Sequence, residues 1–156
     1  MTHILDIREL RPDDAPAYRD LRIEASTEPA FASNPRVEAA MPVELLRKVL
    51  KASAQGKILG AFDDGGLVGM VGLGRSEASP TGMLFGLYVT ARARQAGVGR
   101  ALVRALLDRA RRDGDVTSVE LLVDPSNEIA VSLYEDEGFL ADDETRDSAV
   151  VMRLYI

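Results

Sequence analysis

The 156-residue sequence contains no cysteine. That excludes disulfides, thiolate zinc sites, iron–sulfur clusters and a cysteine nucleophile together, and it suits the reducing interior of a cell. Histidine is nearly absent as well. His3 is the single one and stands among the first residues, so neither a Ser-His-Asp hydrolase nor a multi-histidine centre is expected, and no metal. No apolar run approaches the roughly 18 residues of a membrane span. MTHILDIREL also carries charges where a signal peptide keeps an apolar stretch. The chain reads as soluble and cytoplasmic, with no membrane partner.

What is present is a composition 46% hydrophobic and 28% charged. This suits a single domain over 1–156 that buries roughly two thirds of its unfolded surface. Twenty-five acidic residues against nineteen basic ones give a net charge of −6, so nothing global favours nucleic acid. The charge is unevenly spread. From Arg92 to Arg112 there are seven arginines and one acid, Asp108, so one segment attracts anions. A nucleic-acid binder built on that segment is disfavoured by the overall charge, and no nucleic-acid partner is expected.

The periodicities predict a short strand over Ile4 to Leu10 and a helix from about 14 to 25 packing through Tyr18, Leu21 and Ala25. Thr27 to Ala40 shows no period and reads as a long connection. A second helix is predicted from Pro42 to Ala52. Lys57 to Phe62 and Leu67 to Gly74 flank Asp63-Asp64-Gly65-Gly66 and predict a hairpin. Gly82 to Val89 is a further strand, with Gly86 marking a bulge or a close approach of another backbone. A helix from about Val98 to Arg112 buries Leu102, Val103, Leu106, Leu107 and Ala110 and ends at Asp113-Gly114. Then come a strand over Val119 to Val123 and a helix capped by Ser126 or Asn127, carrying Ile129, Ala130, Leu133 and Tyr134 and closed by Gly138. Strands near Phe139 to Thr145 and Ala149 to Tyr155 finish the chain, with no internal repeat or second domain.

The segment Met83 to Leu107 combines strand, arginine-rich loop, Gly97-Val98-Gly99 and helix. Glycines at a helix start let successive N–H groups converge on an anion, aided by the helix dipole. The plainer reading is a loop that needs two flexible residues. A P-loop requires Lys and Ser or Thr where Arg100-Ala101 stands, and a dinucleotide fold requires a third glycine where Leu102 stands, so both rival phosphate motifs fail.

LYVTARARQAGVGRALVRALL resembles the acyl-CoA signature of the GNAT N-acetyltransferase superfamily, in which Arg or Gln is followed by two residues, Gly, one residue and Gly or Ala. Arg94, Gly97 and Gly99 supply that pattern. Asn127 to Phe139, NEIAVSLYEDEGF, resembles the family's second signature, and the likeness covers nearly the whole chain. Gln95 stands where many members have glycine and Ala91 where many have proline, departures that bear on loop rigidity more than on binding. The resemblance implies a mixed α/β (α+β) fold, a central, mostly antiparallel mixed sheet of six to seven strands flanked by about four helices.

It also implies acetyl-CoA as co-substrate and a small-molecule or peptide amine as acceptor, with a homodimer as an expected assembly. Backbone groups of Leu87, Tyr88 and Val89 would pair with the pantetheine arm as an added strand. Amides of Gln95, Ala96, Gly97, Val98, Gly99 and Arg100 would wrap the pyrophosphate, with Arg94 and Arg100 adding charge-assisted contacts. The other arginines, Arg104, Arg109, Arg111 and Arg112, read as a solvated helix face. Tyr134 would be the general acid toward the leaving thiolate, the plainer reading being a core aromatic. Asn127 would polarise or position the substrate or the pantetheine arm, against a simple N-cap.

An amine must lose a proton to attack, yet GMLFGLYV holds no acid, which leaves Glu77, Glu120 and Asp124 as candidate bases, each also readable as a surface charge. Without cysteine, direct transfer in a ternary complex is favoured over an acyl-enzyme. The resemblance places the amine pocket beside Ser26 to Met41 and Leu140 to Ser148, where Glu24, Glu28, Asp142, Asp143 and Glu144 would attract a cationic amine or simply be solvated. A non-catalytic acyl-CoA sensor with the same fold is the alternative function.

Overall fold

A computed structural model describes residues 5–29, 31, 33–51, 56–76 and 78–156. In chain order the elements are β1 (Asp6–Glu9), α1 (Ala15–Ala25), α2 (Pro35–Ala40), α3 (Val43–Lys51), β2 (Gly56–Asp63), β3 (Gly66–Gly74) and β4 (Thr81–Val89). They continue with α4 (Val98–Asp113), β5 (Ser118–Val123), α5 (Glu128–Asp136), β6 (Leu140–Arg146) and β7 (Ala149–Tyr155). The strands form one sheet in the order β1-β2-β3-β4-β5-β7-β6. Only β4 and β5 run parallel, so the sheet is mixed and mostly antiparallel, as expected. Among the described residues no helix is long and apolar enough to cross a membrane. Ile4 and Ala52, at the ends of two predicted elements, lie outside the described residues.

Local chemistry accounts for most boundaries. Asp63 Oδ1 accepts the Gly65 N–H at 2.7 Å and Gly66 takes φ +109°, which turns β2 into β3. α4 carries apolar residues at helical spacing, and Val98, Leu102, Val103, Leu106, Leu107 and Ala110 are all buried. Left-handed glycines, Gly97 and Gly114, bracket it. Gly69 of β3 is required by this packing. A β-carbon there would lie 2.9 Å from Leu102 Cδ1 and 3.2 Å from Val98 Cγ1.

Two expectations are corrected. The stretch Thr27 to Ala40 is not all connection: Asn34 caps α2 by accepting the Val37 N–H at 3.0 Å, with Pro35 at the first helical position. This helix has no apolar period because its buried residue is Glu38. The described residues thus hold five α-helices, in keeping with the expected fold. Ile129, expected to pack with its neighbours on α5, is 85% exposed, because the face packed on the core is centred on Ala130 and Tyr134, one position further along the helix.

The layers follow. One face of the sheet packs on α4 and α5 through Leu59, Val71, Leu84, Leu102, Leu121 and Phe139. The other packs α1 and α3 through Tyr18, Leu21, Leu46, Leu50 and Met70 over the β2–β3 half. α2 is tied to α1 by charge. Arg22 donates to Glu38 through Nε at 3.0 Å and Nη2 at 2.7 Å, and its Nη1 donates to the Tyr18 hydroxyl at 3.1 Å. Glu38 is only 2% exposed, and hydrogen bonding from Arg22 holds its carboxyl below the usual carboxylate range despite desolvation.

A carboxyl whose pKa is depressed by folding contributes stability above its unfolded value, near 4.3, and loses it as pH falls through the folded value. Glu38→Gln should therefore cost about 2 kcal/mol at pH 7 and flatten the loss of stability below about pH 4. Denaturant unfolding at a series of pH values checks both.

Candidate functional site

The sheet is joined across its middle by very little. β4 and β5 are in register only at Thr81↔Ser118, Gly82↔Val119 and Met83↔Glu120, after which the strands part. On its other side β4 stays paired with β3 as far as Gly69↔Val89, with one irregularity where Met70–Gly72 faces Phe85–Tyr88. Three residues on β3 thus face four on β4, and Gly86, at φ +66°, takes the bulged conformation. Thr90 N–H bonds the Val68 carbonyl at 2.8 Å, so Thr90 faces β3 and the preceding Val89 faces the opening. By the same alternation the backbone groups of Tyr88 turn to β3. Beyond Met83 and Glu120, β4 thus presents, across the cleft between the two strands, an edge that is not paired with β5 in the interior of the sheet.

At the wide end of this cleft the chain turns into α4. Gln95 at φ +65° and Gly97 at φ +80° adopt left-handed conformations within three residues. The departure at Gln95 thus falls where glycine is conformationally favoured. The first helical bond of α4 runs from Ala101 N–H to the Gly97 carbonyl at 3.0 Å, so the N–H groups of Val98, Gly99 and Arg100 precede the ladder. Those of Gln95, Ala96 and Gly97 have no backbone acceptor among the described residues. A β-carbon at Gly97 would meet nothing within 4 Å, and one at Gly99 would point between Leu133 Cδ1 at 3.4 Å and Val89 Cγ2 at 3.7 Å. The start of α4 therefore lies against Val89 of β4 and Leu133 of α5 at Gly99, with open space beside Gly97.

The arginines of this region do not point freely at that space. Arg94 Nε donates to the Val89 carbonyl at 2.9 Å and Nη2 to Glu28 at 3.0 Å. Arg100 Nη2 donates to Asp136 at 2.9 Å and Arg92 Nη1 to Asp63 at 2.7 Å. Arg104, Arg109 and Arg111, expected on a solvated face, pair with Glu137, Glu9 and Asp108. Tyr88 donates its hydroxyl to Glu24 at 2.7 Å under the Arg94 guanidinium, and burial together with that bond pushes its phenol up to about 12. Sequence reasoning missed the Glu24–Tyr88 and Glu28–Arg94 pairs, whose members lie more than sixty residues apart and leave no local signal.

Tyr134 is 7% exposed and packs edge to face on Phe139, ring centroids 5.8 Å apart. Burial pushes its phenol up to about 12. Among the described residues Arg75 Nε is the sole sealed side-chain polar atom without a partner. The Tyr134 hydroxyl, which has no protein partner there either, must therefore reach solvent. Asn127 Oδ1 accepts the Ala130 N–H at 3.2 Å as the cap of α5. Of the candidate bases, Glu77 lies outside the described residues. Glu120 accepts from Arg153 at 2.9 Å and Arg146 at 3.3 Å. Asp124 accepts from the backbone and hydroxyl of Ser126 at 2.9 and 2.8 Å, bonds that hold its carboxyl below the usual range.

The model of the GNAT acetyltransferase family matches residues 15–139, from the first helix through both signature segments. The chain belongs to the GNAT acetyltransferase family. A mycothiol acetyltransferase of Nocardiopsis dassonvillei is 33% identical over 119 residues, 70% of this chain but 36% of that protein, so the chain spans about a third of that relative's length. A GNAT acetyltransferase structure from Streptococcus pneumoniae superposes with a TM-score of 0.87 at 22% identity, covering 98% of this chain and 99% of that one. An N-acetyltransferase of Thermoplasma acidophilum solved in complex with coenzyme A superposes at 0.81 and 20% identity, with coverages of 98% and 99%. The GNAT fold thus extends across both faces of the cleft.

The two left-handed residues make opposite predictions for stability. Gly97→Ala should lower it by about 1 kcal/mol through backbone strain alone, since the space beside it is open. Gln95→Gly should leave it unchanged or raise it slightly. Paired denaturant titrations read both.

Proposed function

We propose that this protein transfers the acetyl group of acetyl-CoA directly to an amine of a small molecule or peptide in a ternary complex. The observation that carries this is the internal cleft between β4 and β5, which opens onto unpartnered N–H groups at the start of a sixteen-residue helix. An extended, amide-bearing tail ending in a diphosphate matches both parts at once. The bound co-substrate supplies an acyl group activated as a thioester.

This chain's residues do the rest. Val89 and Leu87 offer backbone groups along the cleft, and the N–H groups from Gln95 to Arg100 receive the diphosphate. α4 and α5 close one face, so the amine enters from the other, where Phe85 and Leu122 flank the opening and are 41% and 45% exposed. The amine nitrogen bonds to the acyl carbon, the carbon–sulfur bond breaks, and the sulfur leaves as thiol with a proton from the Tyr134 hydroxyl. A phenol pushed up to about 12 stays protonated at neutral pH, as a general acid must. Asn127 fixes the first turn of α5 and hence the Tyr134 hydroxyl. With Glu120 and Asp124 both engaged, the amine's proton passes to water at the open face, and water returns a proton to the Tyr134 oxygen after the thiol leaves.

Those same engagements favour the second reading, an acyl-CoA sensor that binds without turnover. A thiol-release assay over a panel of amines separates the two: turnover that falls about a hundredfold or more in Tyr134→Phe supports the enzyme. Binding with no thiol released for any amine supports the sensor.

Calorimetry tests the cradle. Gly97→Asp should abolish coenzyme A binding while Gly97→Asn, which tolerates the same φ, retains most of it. Gly99→Trp, which fills the space between Val89 and Leu133, should also abolish it. Wild-type protein that fails to bind at high micromolar concentration would overturn the assignment.

A further inference from the structure

Val89 turns its carbonyl into the cleft, where an incoming tail would have to find an acceptor. That carbonyl already has a donor within the protein, Arg94 Nε at 2.9 Å. The same guanidinium gives Nη2 to Glu28 Oε1 at 3.0 Å and lies across the Tyr88 ring, 5.4 Å from its centroid. Tyr88 is itself fixed by its bond to Glu24 at 2.7 Å. Anchors from β4 and from the segment following α1 therefore fold the side chain back over the end of β4. The arginine that immediately precedes the cradle is committed to a carboxylate and to the cleft edge.

Building on the acetyl-CoA reading above, we propose that Glu28 is a positioning residue acting through Arg94. It holds the guanidinium on the Val89 carbonyl, and acyl-CoA binding exchanges this carboxylate for the diphosphate. Carboxylate and phosphate oxygens are both charged acceptors for a guanidinium, and Glu28 holds this one through a single Nη2 bond, so the two compete for one cation. Arg94 and Glu28 have side chains 46% and 45% exposed, so solvent screens their attraction and the exchange is easy. One movement does two things: it brings positive charge to the diphosphate and uncovers the Val89 carbonyl for the pantetheine arm. Glu28 thereby sets a threshold for occupation of the donor cleft from a segment that belongs to the opposite, acceptor-facing side of the fold.

The test is coenzyme A binding by calorimetry and stopped flow, with KM and kcat for acetyl-CoA where turnover is measurable. Glu28→Gln should tighten binding roughly two- to fivefold, with faster association and a lower KM for acetyl-CoA. Glu28→Asp, which keeps the charge, should stay near wild type. Arg94→Ala should weaken binding, and adding Glu28→Gln to it should change nothing further. A merely structural Glu28 would instead lower the unfolding midpoint and weaken binding. That result, unchanged affinity in Glu28→Gln, or a gain that persists without Arg94 would overturn the proposal. Wild-type protein that does not bind coenzyme A would overturn the acetyl-CoA reading itself, and this inference with it.

Discussion

Three residue pairs between β4 and β5 hold the two halves of this sheet together, and most of the remaining architecture follows from how short that seam is. Beyond Met83 and Glu120 the ladder stops, and the separation must be sustained by packing. α4 does this on one face, burying Leu102, Val103, Leu106 and Leu107 in a cluster that includes Leu73 and Leu84 on one side of the seam and Val119 and Leu121 on the other. The core thus replaces the hydrogen bonds that a continuous sheet would have made. The bulge at Gly86 works in the same direction by twisting β4 away from its parallel neighbour. A gap of this kind is stable only because rigid apolar packing spans it from behind.

Electrostatics is organised around the same region. The arginine-rich stretch from Arg92 to Arg112 is positive only along the sequence. In space it is met by five carboxylates from four other parts of the chain, Asp63, Glu28, the adjacent Asp136 and Glu137, and Glu9. These pairs are mostly exposed and individually contribute little to stability. Their effect is on the local field: the guanidinium charge of this stretch is offset by neighbouring carboxylates, while the N–H groups from Gln95 to Gly97 have no backbone acceptor among the described residues. The acidic composition and the local anion preference are therefore compatible.

Much of this architecture is legible in the order of the amino acids. α4 announces itself through an unbroken apolar period ended by Asp113-Gly114, and the β2–β3 hairpin through Asp63-Asp64-Gly65-Gly66, because local propensity and tertiary packing agree there. The family is recognisable because Arg94, Gly97, Gly99 and the Asn127 to Phe139 segment sit at fixed short spacings. What stays hidden is carried by charge or by distance in sequence. α2 buries Glu38 against Arg22 rather than an apolar stripe, so no hydropathy pattern marks it. Glu28 and Arg94 meet only because the end of α1 lies over the end of β4, which no window of sequence contains. Ile129 misleads for the complementary reason, an apolar residue at helical spacing left in water.

The outer rims of the sheet are β1 and β6. β1 has only four residues, and β6, with Asp142, Asp143, Glu144 and Arg146, is charged along most of its length and loses register between Ala141 and Thr145. Short, charged, irregular borders discourage lateral recruitment of foreign strands and the fibrous stacking that follows from it. The molecule is thereby protected at its periphery while its one parted seam lies indoors, walled by β4 and β5 and out of reach of a broad foreign sheet.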